Sequence, residues 1–376
     1  MFSFSKALDN ASNNIANMNT PGFRGTNTFF QSVLSDGGQG VGTSVQGTSI
    51  RLESGEIRQT GNSTDMAISG EGMFVLRNDN GDLFYTRAGQ FGLNSNNVFA
   101  DNATDMDVMA ISASGNLEPI DLTEQRILPA VASTGIQFAG NLSSTDTEFE
   151  ISSVTIFDAG GDTHDLTLAF ANPVGSTDIW NIDVQDSNGN SLGTGEIRFD
   201  NTGSPLATFN TFDVNLTLSG ATQTVTFSFG EPGSFSGTTQ FSSSTSTVGI
   251  SDVDGNGILG LTNVSVDDSG IMQLAYSNGD IKEGPQIALA SFADESNLEP
   301  VSGSLYQANS RTPAEYGRPS ENTFGQILGG SIELSNVDLT QEFADIMIIQ
   351  RGYQASSRAM SVANELVEQL YNNTRG

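Results

Sequence analysis

The chain has 376 residues, 42 glycines, no cysteine, one histidine, and 44 acidic against 14 basic residues, for a formal net charge of −30. This excludes disulfides, thiolate nucleophiles and Cys-ligated metal sites. It also disfavours nucleic acid and anionic membranes as partners, because both need clustered Lys and Arg. The length suits two or three domains, and no stretch approaches the roughly 20 apolar residues of a membrane-spanning helix.

The N-terminal Met1-Phe2-Ser3-Phe4-Ser5-Lys6 is too polar for the apolar region of a cleavable signal peptide, which predicts a cytoplasmic protein or one exported by another route. Phe4, Leu8, Ala11, Ile15 and Met18 recur at alternating heptad steps and predict a short helix with an apolar seam. Thr20-Pro21-Gly22 stops it, because proline pushes the preceding residue out of the α region. A helix of about four turns is marginal alone, so it needs a partner. Gly37-Gly38-Gln39-Gly40-Val41-Gly42 lacks the Lys-Ser/Thr of a phosphate cradle and reads as a flexible linker.

The long middle reads as β. Asn80-Gly81, Asn188-Gly189 and Asn278-Gly279 each lie between apolar runs, the strongest short-range hairpin signal. Leu166, Leu168 and Phe170 alternate, as do Trp180, Ile182 and Val184. So do Phe212 to Leu218 and Thr224 to Phe229, the period of a half-buried strand. Trp180 reads as a sheet-core aromatic rather than a sugar platform. Gly135 to Thr147 and the Ser/Thr run Gly237 to Thr247 read as polar joints bounding an inserted domain.

Two places invite a chemical reading. Asp252-Val253-Asp254-Gly255-Asn256-Gly257-Ile258 matches the start of an EF-hand loop, but Asn263 stands where the bidentate Glu belongs and no helical pattern flanks it. A plain Asp/Gly turn is the expectation. His164, beside Asp162 and Asp165, has no Gly-x-Ser-x-Gly partner and reads as a hairpin-end residue rather than a catalytic base. No catalytic residue, cofactor or metal is expected.

At the C-terminus Asp338 stands where a helix cap belongs, and from Leu339 to Asn372 there is no proline and one glycine, Gly352. Leu339, Phe343, Ile346, Gln350, Tyr353, Ser357, Met360, Asn364, Val367 and Tyr371 step as a heptad, predicting about 50 Å of helix. Such a helix needs its N-terminal counterpart, other chains, or both.

The ends carry a resemblance. Asn13-Asn14-Ile15-Ala16-Asn17, then Thr20-Pro21-Gly22-Phe23, resembles the N-terminal signature of bacterial flagellar axial proteins, the rod and hook family. Ser335-Asn336-Val337-Asp338-Leu339, then Gln350-Arg351-Gly352-Tyr353-Gln354, is similar to that family's C-terminal signature. Asp65 to Phe74 and Tyr85 to Phe91 look like its shared β domain, and Val154 to Asp158 with His164 to Leu166 follows the hook branch's inserted domain. Two departures stand out: 12 residues precede Asn13, fewer than the family pattern carries, and Ser356 replaces its usual Asn.

The resemblance implies a mainly β fold with terminal α-helices, its discontinuous β domains nested between N- and C-terminal coiled-coil helices. The expected map is 1–20 with 338–376 as the helical inner-tube domain, and 21–62 with 327–337 as connecting segments. An inner β domain would take 63–137 with 259–326, and an outer one 138–258. The resemblance also implies a non-enzymatic subunit exported unfolded by the flagellar type III apparatus. It would polymerise into the flexible hook between the distal rod and the hook–filament junction protein, under a cap scaffold. The residues expected to carry assembly are the two signatures together with Phe343, Ile346, Met360 and Val367. The alternatives are a rigid distal-rod-like component and a secreted carbohydrate-binding β protein.

Overall fold

The structure, a computed structural model, describes residues 2–34, 40–174, 176, 178–309 and 312–374. Helix α1 (Phe2–Ala16) opens the chain and helix α2 (Leu339–Thr374) closes it, with β-strands between. The chain forms two compact units, 1–124 with 261–376, and 125–260.

In the first unit the outgoing and returning halves of the chain are zipped together. Ile57–Gln59 pairs antiparallel with Ser331–Glu333, and Met66–Ser69 with Gln326–Gly329. Met73–Arg77 lies between Leu83–Thr86 and Asp107–Ile111 and also pairs with Leu289–Phe292. Buried Met73, Val75, Tyr85, Met109, Ala290, Phe292 and Tyr306 form its core, where Tyr85 meets Phe292 edge-on at 4.8 Å between ring centroids. The hairpins at Asn80-Gly81 and Asn278-Gly279 form as their sequences predict, with Gly81 and Gly279 at positive φ and their N–H groups closing the turns.

The second unit is a pair of facing sheets. One runs Glu148–Phe157, Thr163–Ala171, Ile179–Gln185, Ser191–Arg198 in antiparallel order. The other runs Thr211–Leu218, Ala221–Ser228, Gly135–Ser143, Thr238–Phe241. Their inward residues form one core that includes Phe138, Leu168, Phe170, Trp180, Ile182, Leu216 and Phe227. Period two is realised as read: Val214, Leu216 and Leu218 point in, while Asp213, Asn215 and Thr217 point out. Gly193 and Gly195 are there because a Cβ would lie 2.4 Å from Val214 and from Phe212.

Three expectations need correction. The polar run from Gly135 is not a joint, since Gly135–Ser143 is a central strand bonded on both sides. The 21–62 connector contains a long antiparallel hairpin, β1 (Thr26–Leu34) with β2 (Gly40–Ile50). Of the glycine-rich linker, Gly37 to Gln39 lie outside the described residues and Gly40 already belongs to β2. Finally, α1 ends at Ala16, and Met18 lies beyond it in the turn rather than on a helical seam.

Candidate functional site

The two signatures meet where α1, the β1–β2 hairpin and α2 come together. Helix α1 runs antiparallel to α2: Asn14 Nδ2 donates to Glu342 Oε1 at 3.1 Å near the start of α2, and Phe4 lies against Gly352 ten residues further on. The face α1 buries is small and polar, Ser3, Ala7, Ala11 and Asn14. On α2, Glu342 is buried, and Asp345, Ile346, Ile349, Gly352, Ser356 and Ser357 are half-buried. The seams are therefore rotated from the expected ones. Of the residues read as the α1 seam only Ala11 is buried, and Phe343, Gln350 and Tyr353 on α2 are exposed. Close helix approach favours small side chains, and the larger ones are left to the flanks. A Cβ on Gly352 would lie 2.7 Å from Phe4 Cε1 and Cζ, and the Phe4 ring continues to Phe30 of β1 at 5.9 Å between centroids.

A polar network fixes this register. Thr26 N donates to Asn14 Oδ1 at 3.0 Å, and Asn14 Nδ2 returns a bond to the Thr26 carbonyl at 2.9 Å. Arg51 Nη2 donates to Glu342 Oε1 at 2.6 Å, with both side chains buried, and Arg51 Nε donates to Asn27. Asn336 Oδ1 accepts from Gly25 N at 2.8 Å, while its amide donates to the carbonyls of Arg51 and Glu53. Asp338 caps α2, accepting from Thr340 N at 2.7 Å and Gln341 N at 3.2 Å, and these bonds hold its carboxyl below the ordinary range.

Below this lies a neck where the terminal segments reach the β body. Gly22 N donates to the Glu333 carbonyl at 2.8 Å, and Gly22 sits so close to Arg87-Ala88 that a Cβ would lie 2.2 Å from Ala88 N. Arg87, buried, donates to the Gly70 carbonyl at 2.7 Å and Ser54 Oγ at 3.2 Å and faces Glu333 at 3.4 Å. Burial pulls its guanidinium below the usual range and Glu333 opposes that shift. Arg24 pairs with Glu295 at 2.5 Å.

Asn14, Gly22, Phe23, Asn336, Val337 and Asp338 are thus brought together, with Ser335 beside them. The Asn13 and Asn17 side chains bond within the helix end and its turn, to each other and to Thr20. Ile15 and Pro21 are half-buried and Ala16 is exposed; Leu339 is half-buried. Arg351 and Gln354 are exposed. Every residue from Arg358 to Thr374 is exposed, so α2 overhangs its partner by about 25 Å. Met360 is 55% exposed, Leu366 56%, Val367 66% and Leu370 65%. Arg51, Glu342, Arg24, Arg87 and Glu333 were not among the residues expected to carry assembly. For the arginines the one sequence signal is that they are scarce in this chain.

Neither chemical candidate is free for chemistry. The Asp254 carboxylate accepts from Thr134 N at 2.6 Å, Thr134 Oγ1 at 2.5 Å and Gly135 N at 2.7 Å, clipping together the two ends of the second unit. His164 Nε2 lies 3.1 Å from Asp158, which also accepts from Ser219 Oγ at 2.5 Å. The order is Ser–Asp–His, with the carboxylate between the other two, so the imidazole is not poised to activate the serine. The Ser219 hydroxyl and then His164 hold the Asp158 carboxyl well below the usual range.

The chain matches family models along most of its length. These are "Flagella basal body rod protein" over residues 3–24, "Flagellar hook protein FlgE/F/G D1 domain" over 67–137, "Flagellar basal body protein FlaE D2 domain" over 122–257 and "Flagellar basal body rod FlgEFG protein C-terminal" over 328–373. It is similar to the flagellar hook protein FlgE of Brucella suis, 30% identical over 390 residues covering 97% of this chain and 94% of that one. It is also similar to those of Borreliella burgdorferi, 27% identical with 96% and 95% covered, and Salmonella typhimurium, 27% identical with 97% and 96% covered. Among solved structures, the Helicobacter pylori hook protein FlgE2 shares the fold, with a TM-score of 0.52 and 14% identity over 72% of this chain and 98% of that one. End-to-end coverage, including the inserted unit, places the chain in the bacterial flagellar hook protein family, as a structural subunit of the hook.

Proposed function

We propose that the terminal signatures and the α2 stripe are the assembly surface of this subunit. The observation that carries this is the exposed apolar surface of α2: Phe343, Met347 and Ile348, and beyond Ser357 Met360, Leu366, Val367 and Leu370, are all at least half exposed, and no described element covers the helix after Ser357. Exposed apolar surface of this extent on one helix marks an interaction site. Head-to-tail contacts that do not close on themselves give an open helical polymer.

In this reading 1–20 with 338–376 form the inner tube and 21–62 with 327–337 the connectors, while the division into two compact units moves the expected inner β domain to 63–124 with 261–326 and the outer one to 125–260. The subunit performs no catalysis. It reaches its site unfolded through the type III export apparatus, adds under the cap scaffold, and joins the distal rod at one end of the polymer and the hook–filament junction protein at the other. Polar outer contacts rearrange at low cost, which suits a joint that must bend while it turns.

Met360→Glu with Val367→Glu tests the inner-tube role. Both side chains are exposed in the subunit, so the melting temperature stays that of the parent while sedimentable tubes disappear. Parental tube yield from the double variant rules the role out.

A further inference from the structure

Three strands of chain join the helices and hairpin to the β body of the first unit: residues 17–25, 51–56 and 333–338. All three are tied at one residue. Glu333 accepts from Gly22 N through its carbonyl and from Gly55 N through Oε1 at 2.9 Å, and its Oε2 faces Arg87 of the body. Beside it Arg24, on the first strand, reaches Glu295 of the body. Glycine backbone contacts leave no slack, since a Cβ on Gly55 would lie 1.8 Å from the Leu334 carbonyl oxygen.

We propose that the Arg87–Glu333 and Arg24–Glu295 pairs are a torsion brace, which makes the terminal helices and the β body turn as one piece.

The energetics favour this over a role in stability. Arg87 and Glu333 are each 1% exposed, and Arg24 Nε, Arg87 Nε and Nη1, and Glu333 Oε2 have no hydrogen-bond partner among the described residues. Buried ion pairs repay their desolvation only when geometry is excellent and the remaining donors and acceptors are satisfied, and apolar replacements of similar volume are often as stable or more so. What an apolar pair lacks is direction. A charged pair fixed at a crossing of three strands resists rotation, and a greasy contact slides. The proposal rests on the assembly reading for its purpose, but its test needs no polymer.

Because the chain has no cysteine, spin labels can be placed at will. Asp9→Cys on α1 and Asn80→Cys on a β-body turn are both exposed. In the labelled full-length monomer we expect a single narrow distance distribution by pulsed electron spin resonance. Adding Arg87→Met with Glu333→Leu, which also leaves Gly55 N and the Gly70 carbonyl without these partners, should at least double its width while the β body stays folded, and Arg24→Met with Glu295→Leu should do the same. Distributions as narrow as the parent's in both variants overturn the proposal. So does loss of the folded β body in both, since the pairs would then be holding the fold rather than the neck. Failure of tube assembly with the expected broadening would count against the assembly reading alone.

Discussion

Gly352 breaks a local rule, and substituting it separates helix propensity from helix pairing. In the interior of an exposed helix, Gly→Ala gains about 1 kcal/mol. Here the new methyl would sit 2.7 Å from two atoms of the Phe4 ring, so the ring must leave its seat. Phe4 is half-buried, and a fully buried Phe is worth roughly 1.5–3 kcal/mol, so displacing it costs about 1 kcal/mol plus the edge of its Phe30 contact. The two terms nearly cancel globally but act on different elements. Gly352→Ala should leave total stability within about 1 kcal/mol of the parent, strengthen α2 and loosen α1. Hydrogen–deuterium exchange resolves them: amides of residues 6–16 should exchange several-fold faster, and those of 353–358 slower. A double-mutant cycle with Phe4→Ala should return a coupling of about 1 kcal/mol. Unchanged or slower exchange in α1 would refute the seat, and the glycine would then have no structural reason.

The second unit's core lies wholly within 136–248, so a 125–260 fragment should fold cooperatively by itself; broad melting or dye binding typical of a molten state would contradict this. Trp180, the sole tryptophan, is fully buried there and its blue-shifted emission reports on that unit alone. Asp158 has a depressed carboxyl, so its stabilisation is present above the ordinary carboxylate value of about 3.9 and fades as pH falls below it. Asp158→Asn should therefore lower the Trp180-detected melting temperature at pH 7, with the gap to the parent narrowing toward pH 2; a gap that does not change with pH would refute it. With a net charge of −30, tube assembly should need less protein in 0.5 M than in about 0.05 M salt, because the screening length shrinks several-fold. A critical concentration independent of salt would show that the charges lie too far apart to matter.

Much of the β architecture was legible because it is written locally. Alternation at Val214, Leu216 and Leu218 and the Asn-Gly turns each involve neighbours a few residues apart. The helices were legible as helices but not in phase. Heptad reading looks for large apolar residues, and this pair meets on Ala7, Ala11, Gly352 and Ser356, which a hydropathy scan passes over. The hairpin was missed because Phe29 pairs with Gly47, and β2 is too rich in glycine to show a strand period. The polar knot could not be read at all. Asn14 and Glu342 are 328 residues apart, and nothing in either neighbourhood names the other. For Arg24 and Arg87 the one local sign is scarcity, and it says nothing of which acid each meets.

The proposed assembly surface on α2 bears on how the subunit polymerises. About ten half-exposed apolar side chains lie along α2, and covering them would yield on the order of 10 kcal/mol at the usual burial coefficients. Association itself costs an estimated 4–15 kcal/mol, and like charges on every subunit add to that. One neighbour barely offsets these terms. Several neighbours around a tube cover the same stripe while the later contacts lose less freedom, so growth at an existing end is favoured where pairing in solution is not. The 17 residues beyond Ser357 are also near the length at which an isolated helix is only marginal in water, so in the proposed assembly packing against neighbours would add to their order. On these terms the proposed assembly surface favours addition to an existing polymer end over pairing of free subunits.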